Sequence, residues 1–304
     1  MTRQFTIAIL IMAATSGASA QQHGIYSQYL FNLFVVNPAY AGELDALAAS
    51  VSYRAQWVGF EGAPKTQNFS VHSPIKGKKM ALGLQFQNDE IGARRTPSLS
   101  ATYAYKVKLN EKSRLSFGVE AGVINYQYRW QDLNYRRSND PVAFGSEGNK
   151  WVPNFNFGVM YLRSDAYVGL SATSLNSSRI IASDNSDARL NTFFNFIAGK
   201  VFDISEKVAV KPSTIVRKAV NSPFQFDANL SVRYLNRFWL TTTYRYDYGA
   251  VFSGHIYITD NLHVGYSYDL PLNNLLTQQS GSHEVFIGYN FKVFAPLPKT
   301  QLTY

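Results

Sequence analysis

From about residue 46 the chain alternates apolar and polar positions with a period of two, segment after segment. Val51, Tyr53, Ala55 and Trp57 oppose Ser52, Arg54 and Gln56. Met80, Leu82, Leu84 and Phe86 oppose Ala81, Gly83, Gln85 and Gln87, and Leu99, Ala101, Tyr103, Tyr105 and Val107 oppose Ser100, Thr102, Ala104, Lys106 and Lys108. Successive Cβ atoms of a strand point to opposite faces, so this pattern predicts strands with one apolar side, and helical spacing explains none of it. About fourteen segments carry it, at 46–58, 65–74, 79–88, 97–109, 113–128, 153–163, 165–173, 190–203, 206–219, 224–235, 237–247, 250–259, 262–270 and 282–294. Each is near the roughly 10 residues that a tilted strand needs to cross a bilayer. Two are irregular: 193–201 is apolar on both faces, and Pro212 interrupts the ninth.

The connections sort into two kinds. Short turns are expected at 76–78, 110–112, 164–165, 204–206, 236–237 and 260–261. Between them come mostly longer connections, at 58–64, 89–96, 128–152, 174–189 and 271–281, with shorter ones near 220 and 249. Short periplasmic turns facing longer surface loops are the habit of outer-membrane barrels, whereas a soluble sandwich has no reason to sort its loops. The predicted fold class is therefore all-β: a transmembrane antiparallel β-barrel of about 14 strands spanning 46–294, with a C-terminal periplasmic tail at 295–304. An even strand count puts both barrel ends on the periplasmic side.

Composition agrees. Apolar residues make up 46% of the 304 and aromatics 15%, with Tyr 20 and Phe 21, yet no run after residue 20 is long enough for a spanning helix. Arg3, the apolar stretch 5–14 and Ala18-Ser19-Ala20 have the form of a signal peptide cleaved after Ala20, since the run is about half of the roughly 20 residues a membrane helix requires. With Cys 0 there is neither disulfide nor acylated cysteine. The formal net charge of +9 falls to +8 without Arg3. An exported chain makes nucleic acid a poor partner, and basic groups facing a lumen or anionic lipid are the plainer reading. Trp57, Trp130, Trp151, Trp239 and Tyr126-Gln127-Tyr128 lie near expected strand ends, where interfacial aromatic girdles sit.

Residues 21–45 do not alternate. Within them, Tyr29, Phe31, Phe34 and Tyr40 precede the first strand, so neither lipid nor a strand ladder accounts for them. Asn37-Pro38 interrupts any helix, because the residue before proline is pushed out of the right-handed helical region. An apolar segment of this length is an aggregation hazard if it dangles. It is expected to plug the lumen or to bind a partner at the periplasmic mouth, with Gly42 releasing the chain into the wall.

The motifs Ser27-Gln28-Tyr29 with Phe31-Asn32, Asn37-Pro38-Ala39-Tyr40-Ala41-Gly42, Tyr53-Arg54 with Gln56-Trp57-Val58-Gly59, and Gly62-Ala63-Pro64-Lys65-Thr66-Gln67 resemble the signature of the PorP/SprF family. The likeness resumes at Asn88-Asp89-Glu90-Ile91-Gly92, Tyr103-Ala104-Tyr105, Leu115-Ser116-Phe117-Gly118, Asp140-Pro141, Pro153-Asn154-Phe155, Thr259-Asp260-Asn261-Leu262 and Gly281-Ser282-His283-Glu284. The family comprises Bacteroidetes outer-membrane proteins of type IX secretion and gliding. The resemblance implies a non-enzymatic barrel that supports export or surface attachment of secreted, adhesin-like cargo. It also implies coupling to a periplasmic peptidoglycan-binding or secretion-system lipoprotein. The motif residues Tyr29, Phe31, Asn37, Pro38, Tyr40, Gly42, Trp57, Gly59, Gly62, Pro64 and Lys65 then become plug or partner-binding candidates. Arg129, Trp130, Tyr135, Arg136, Arg137 and Trp151 become surface-loop contacts, as Arg and aromatics favour interfaces. A passive or substrate-specific channel is the alternative.

Nothing points to catalysis, a cofactor or a metal. No G-x-S-x-G, H-E-x-x-H or P-loop occurs, and the five histidines have no ligand-like spacing. His263, Ser267 and Asp269 share the inward face of one strand, as a barrel lipase would need. Four residues along a strand, however, separate a nucleophile from its base by about 13 Å. The inward charges Arg54, Lys106, Lys108, Glu120, Arg217, Asp227, Arg233, Arg245, Asp247, Asp269, Glu284 and Lys292 either pair across the lumen or line water.

Overall fold

The computed structural model describes residues 26–75, 77–129, 149–179, 189–220, 222–272 and 279–291. The expected signal peptide, residues 21–25, Trp130, Tyr135, Arg136, Arg137, Lys292 and the 295–304 tail lie outside them.

Fifteen strands form one antiparallel sheet in which, β8 and β9 apart, consecutive strands are neighbours: β1 (Leu47–Ala55), β2 (Lys65–Pro74), β3 (Met80–Ile91), β4 (Arg94–Lys108), β5 (Ser113–Tyr128), β6 (Asn149–Arg163), β7 (Ala166–Thr173), β8 (Phe193–Lys200), β9 (Phe202–Asp203), β10 (Val208–Ala219), β11 (Phe224–Tyr234), β12 (Phe238–Arg245), β13 (Gly249–Tyr257), β14 (Leu262–Pro271) and β15 (Ser282–Phe291). β15 pairs with β1, and β10 pairs with β11, so the sheet closes. β8 and β9 both pair with β10 in one register, so the wall is a 14-strand barrel. Their interruption lies opposite Lys211 and Pro212, where proline has no N–H to offer the ladder.

Outward positions form continuous apolar rows. Val51, Phe69, Phe86, Leu99 and Val123 stand side by side across β1 to β5 in register. Leu99 is 55% exposed and Leu240, on β12, 69%, as lipid contact requires. Replacing Leu99 with Arg should cost roughly 2–4 kcal/mol, because a charge near mid-membrane loses its water. Urea unfolding in liposomes would measure it, and an unchanged midpoint would mean the face is misassigned.

Strand ends differ from the expected ones where the wall leaves the lipid. Residues 89–96 are not a loop: β3 and β4 run on to a two-residue turn at Gly92-Ala93, tied by Thr66 to Asp89 at 2.6 Å and by Arg95 to Glu90 at 3.2 Å. Outside the bilayer neither face need be apolar, so alternation fades while pairing persists. Lys108 and Asp247 are exposed at strand ends instead of facing the lumen, and Lys108 pairs with Glu111. Trp239 belongs to no girdle, for it is 2% exposed and points inward. Tyr126 is buried with Ile124, Val152 and Leu190. Trp151, in contrast, is 64% exposed on β6.

The principal buried apolar cluster of the protein is in the lumen. Tyr29, Leu30, Leu33, Phe34, Ala39, Tyr40 and Ala41 pack against the inward side chains Ala81, Ala104, Met160, Leu162, Tyr167, Ile197 and Ile215. This explains why the stretch around Ile197 reads as apolar on both faces. One side meets lipid and the other meets the N-terminal segment.

Candidate functional site: an N-terminal strap filling the lumen

Residues 26–43 form a strap of three single-turn 3-10 helices, Gln28–Phe31, Leu33–Val35 and Pro38–Tyr40. Asn37 is extended, as the following proline demands, and its Oδ1 accepts from the Ala39 N–H at 2.9 Å to cap the third turn. Its Nδ2 donates to the wall carbonyls of Val159 and Leu170 at 3.3 and 3.0 Å. Gly42 ends the strap at φ +65, a left-handed conformation in which a side chain would also strike Ala81 and Pro74.

The wall is carved to fit. A Cβ on Gly83 would stand 2.5 Å from the Phe34 ring, and one on Gly158 would reach Asn37 Oδ1 at 2.0 Å. On Gly118 it would meet the Ala39 nitrogen and the Pro38 carbonyl carbon, both at 2.3 Å. Wall hydroxyls complete the seat, with Ser116 donating to the Ala39 carbonyl at 2.6 Å and Ser171 to the Val36 carbonyl at 2.8 Å. Ser116 and Gly118 fall in a family motif, Leu115-Ser116-Phe117-Gly118, but the sequence singles out none of these wall residues as a plug contact. Their signal was present nonetheless, as glycines at inward positions of wall strands.

The ends of the strap sit at opposite mouths. Ser27 lies at the loop mouth, among charges near the loop-side ends of β1, β10, β11, β12, β14 and β15. Arg54 pairs with Asp269 at 2.7 Å and Glu284 at 3.4 Å. Arg245 pairs with Asp269 at 2.9 Å and Asp227 at 3.2 Å, and Arg217 approaches Asp227 at 3.5 Å. Three arginines thus balance three carboxylates, so the inward charges at this mouth are paired, whereas Glu120 accepts from Thr102 and Asn156 without an ion pair. Into this cluster Ser27 Oγ donates to Asp269 at 2.8 Å, and the Ser27 N–H to Glu284 at 2.7 Å. At the turn mouth, the Gly42 N–H donates to His72 Nδ1 at 3.0 Å, and Lys106 donates to the Gly42 carbonyl. Glu43 is bracketed there by Lys106 and Arg114.

Between the mouths, Phe31 stacks on His255 at 3.8 Å and 7°, with Trp239 edge-on at 6.3 Å. Tyr40 stands edge-on to His72 at 6.0 Å. The buried Tyr29 hydroxyl accepts from Asn229 Nδ2 at 2.9 Å. A polar cavity of about 110 Å³ remains beside Val35, lined by Asp89, Glu120, Asn154 and Asn156 among others.

The sequence candidates therefore divide. Tyr29, Phe31, Asn37, Pro38, Tyr40 and Gly42 come together in the lumen. Trp57, Gly59, Gly62, Pro64 and Lys65 lie apart from them at the loop end, where Gly62 accepts from the Gly92 N–H at 2.9 Å. An open cleft there is lined by Trp57, Phe60, Lys65, Glu90 and Arg129. His263 sits 2.8 Å from His255, whereas Asp269 is engaged by the arginines, so the His-Ser-Asp arrangement is not assembled. No cluster of three metal-ligating side chains occurs among the described residues.

The family profile described as type IX secretion system membrane protein PorP/SprF matches residues 18–289. The chain belongs to the PorP/SprF family. It is thus a type IX secretion outer-membrane barrel. A search of curated proteins returns no match. Among solved structures, the CymD monoaromatic hydrocarbon channel superposes with a TM-score of 0.52 at 13% identity, over 92% of this chain and 96% of that one. The Pseudomonas putida toluene transporter TodX gives 0.48 at 11%, over 91% and 96%. The Acinetobacter baumannii outer membrane protein Omp33 gives 0.48 at 8%, over 81% and 99%. At such identities the CymD likeness bears on the fold alone. The PorP/SprF motifs of this chain fall into both halves of the site, the lumen strap and the loop-end cleft.

Proposed function

We propose that this PorP/SprF barrel works without chemistry of its own, supporting export or surface attachment of adhesin-like type IX cargo and coupling it to a periplasmic envelope lipoprotein. The observation that carries this reading is the filled lumen: the chain's own strap occupies the space a channel would leave open. In a barrel of this size an unfilled interior would hold water, since eight strands suffice for side chains to fill and porins of sixteen or more leave an aqueous channel. Cargo then meets the long loops, through Trp57, Lys65, Arg129 and Trp151 together with Trp130, Tyr135, Arg136 and Arg137. The periplasmic partner meets the short-turn mouth near Glu43.

The alternative, a passive or substrate-specific channel, would need that strap to be absent or displaced. Deleting the gene should remove adhesins from the cell surface, and the full-length gene should restore them. Reconstituted in planar bilayers, the intact protein should show no stepwise conductance. Steady single-channel openings, with adhesins still on the surface of the deletion strain, would favour the channel.

A further inference from the structure

The two ends of the strap are held by different means, and the difference gives a direction of release. The turn-mouth end is covalent with β1 and its polar groups are engaged by the wall: Asn37 by two carbonyls, Ala39 by Ser116, and Gly42 by His72 and Lys106, while Glu43 Oε1, buried without a hydrogen bond, is held by the Lys106 ammonium at 3.5 Å. At the loop mouth, Ser27 is bound only through hydrogen bonds. Beside it, both amide atoms of Gln28 are buried without a hydrogen-bond partner, which costs free energy.

The cluster that holds Ser27 also does not depend on it. Arg54–Asp269, Arg245–Asp269 and Arg245–Asp227 are wall-to-wall pairs that remain complete when Ser27 leaves. Removing one partner of a buried ion pair is expensive because it strands the other charge. Here the departure of Ser27 strands none, and Glu284, which loses two backbone donors, still faces Arg54.

We infer that the strap is a built-in latch that opens from the loop mouth first: residues 26–28 let go of the Arg54–Asp269–Glu284 cluster while residues 29–43, held by the apolar cluster and by the wall hydrogen bonds of Tyr29, Asn32 and Asn37, stay seated on the wall. The latch lies at the mouth where cargo would arrive. The inference rests on the proposed function only for what triggers it, since the order of release is a property of the chain by itself.

The absence of cysteine makes the order measurable. Cysteine is placed singly at Gln28, as an outer reporter, or at Ala41, as an inner one. Each is labelled with a membrane-impermeant maleimide in isolated outer membranes, with heat-modifiable migration confirming an intact barrel. Ser27→Ala, which alters no wall residue, and Glu284→Gln, which removes the carboxylate, are then each combined with both reporters. Either should speed labelling at residue 28 by about tenfold or more and leave residue 41 unchanged. Equal acceleration at both reporters would mean the strap leaves as one body and would overturn the inference. No acceleration at residue 28 with Ser27→Ala would overturn it as well. Neither result depends on cargo, so failure here is distinguishable from failure of the secretion reading.

Discussion

Deleting residues 26–42 is expected to leave a barrel that still inserts and still migrates heat-modifiably, but that conducts ions and displays no cargo. The wall pairs strand to strand around its whole circumference, and none of those hydrogen bonds involves the strap. The energetic loss is the burial of Tyr29, Leu30, Leu33, Phe34 and Tyr40, at roughly 1.5–3 kcal/mol for each large side chain. The sum, on the order of 10 kcal/mol, is an upper bound because an unfolded chain already buries part of that surface. The inward charges do not add to the loss, since water entering the lumen solvates the Arg54, Asp269 and Glu284 groups. Conductance in planar bilayers and surface labelling of adhesins are the two readouts. A truncated barrel that stays closed and still displays cargo would show the strap to be neither plug nor coupling element.

Gly118→Leu should produce nearly the same phenotype from a single residue. Its Cβ would fall within 2.3 Å of the Pro38–Ala39 peptide, which is backbone and cannot swing aside. Interiors of this density do not absorb such overlap, and overpacking typically costs about 1–3 kcal/mol even where neighbours give way. Either the strap is displaced or the wall distorts. The wall is held on both sides of β5 by full ladders to β4 and β6, so the strap should yield. Gly254→Ala is the matched control, because a Cβ there meets nothing within 4 Å. The control should remain non-conducting while Gly118→Leu conducts. Identical behaviour of the two would mean the glycine seat has no part in retaining the strap.

The wall could be read from the chain because lipid imposes a strict rule on it. Outward positions near mid-membrane must be apolar and every spanning strand must pair, so β2 and β5 emerge with the ends the alternation predicts, at Lys65–Pro74 and Ser113–Tyr128. The rule lapses outside the bilayer, and there the sequence misreads residues 89–96 as a loop. It lapses again where the inner face meets protein, as at Ile197 and Trp239, whose apolar character marks contact with neighbours across the lumen. Asn37-Pro38 announces a break and Gly42 a release, since proline sterics and positive φ are local properties. What lies opposite them is not local. That Asn37 reaches Val159 and Leu170, that Ser27 completes a cluster drawn from six strands, and that Gly118 exists to admit a peptide some eighty residues earlier depend on which strands closure brings face to face. A period of two tells each residue which side of the wall it stands on, and only the closed barrel decides what it meets there.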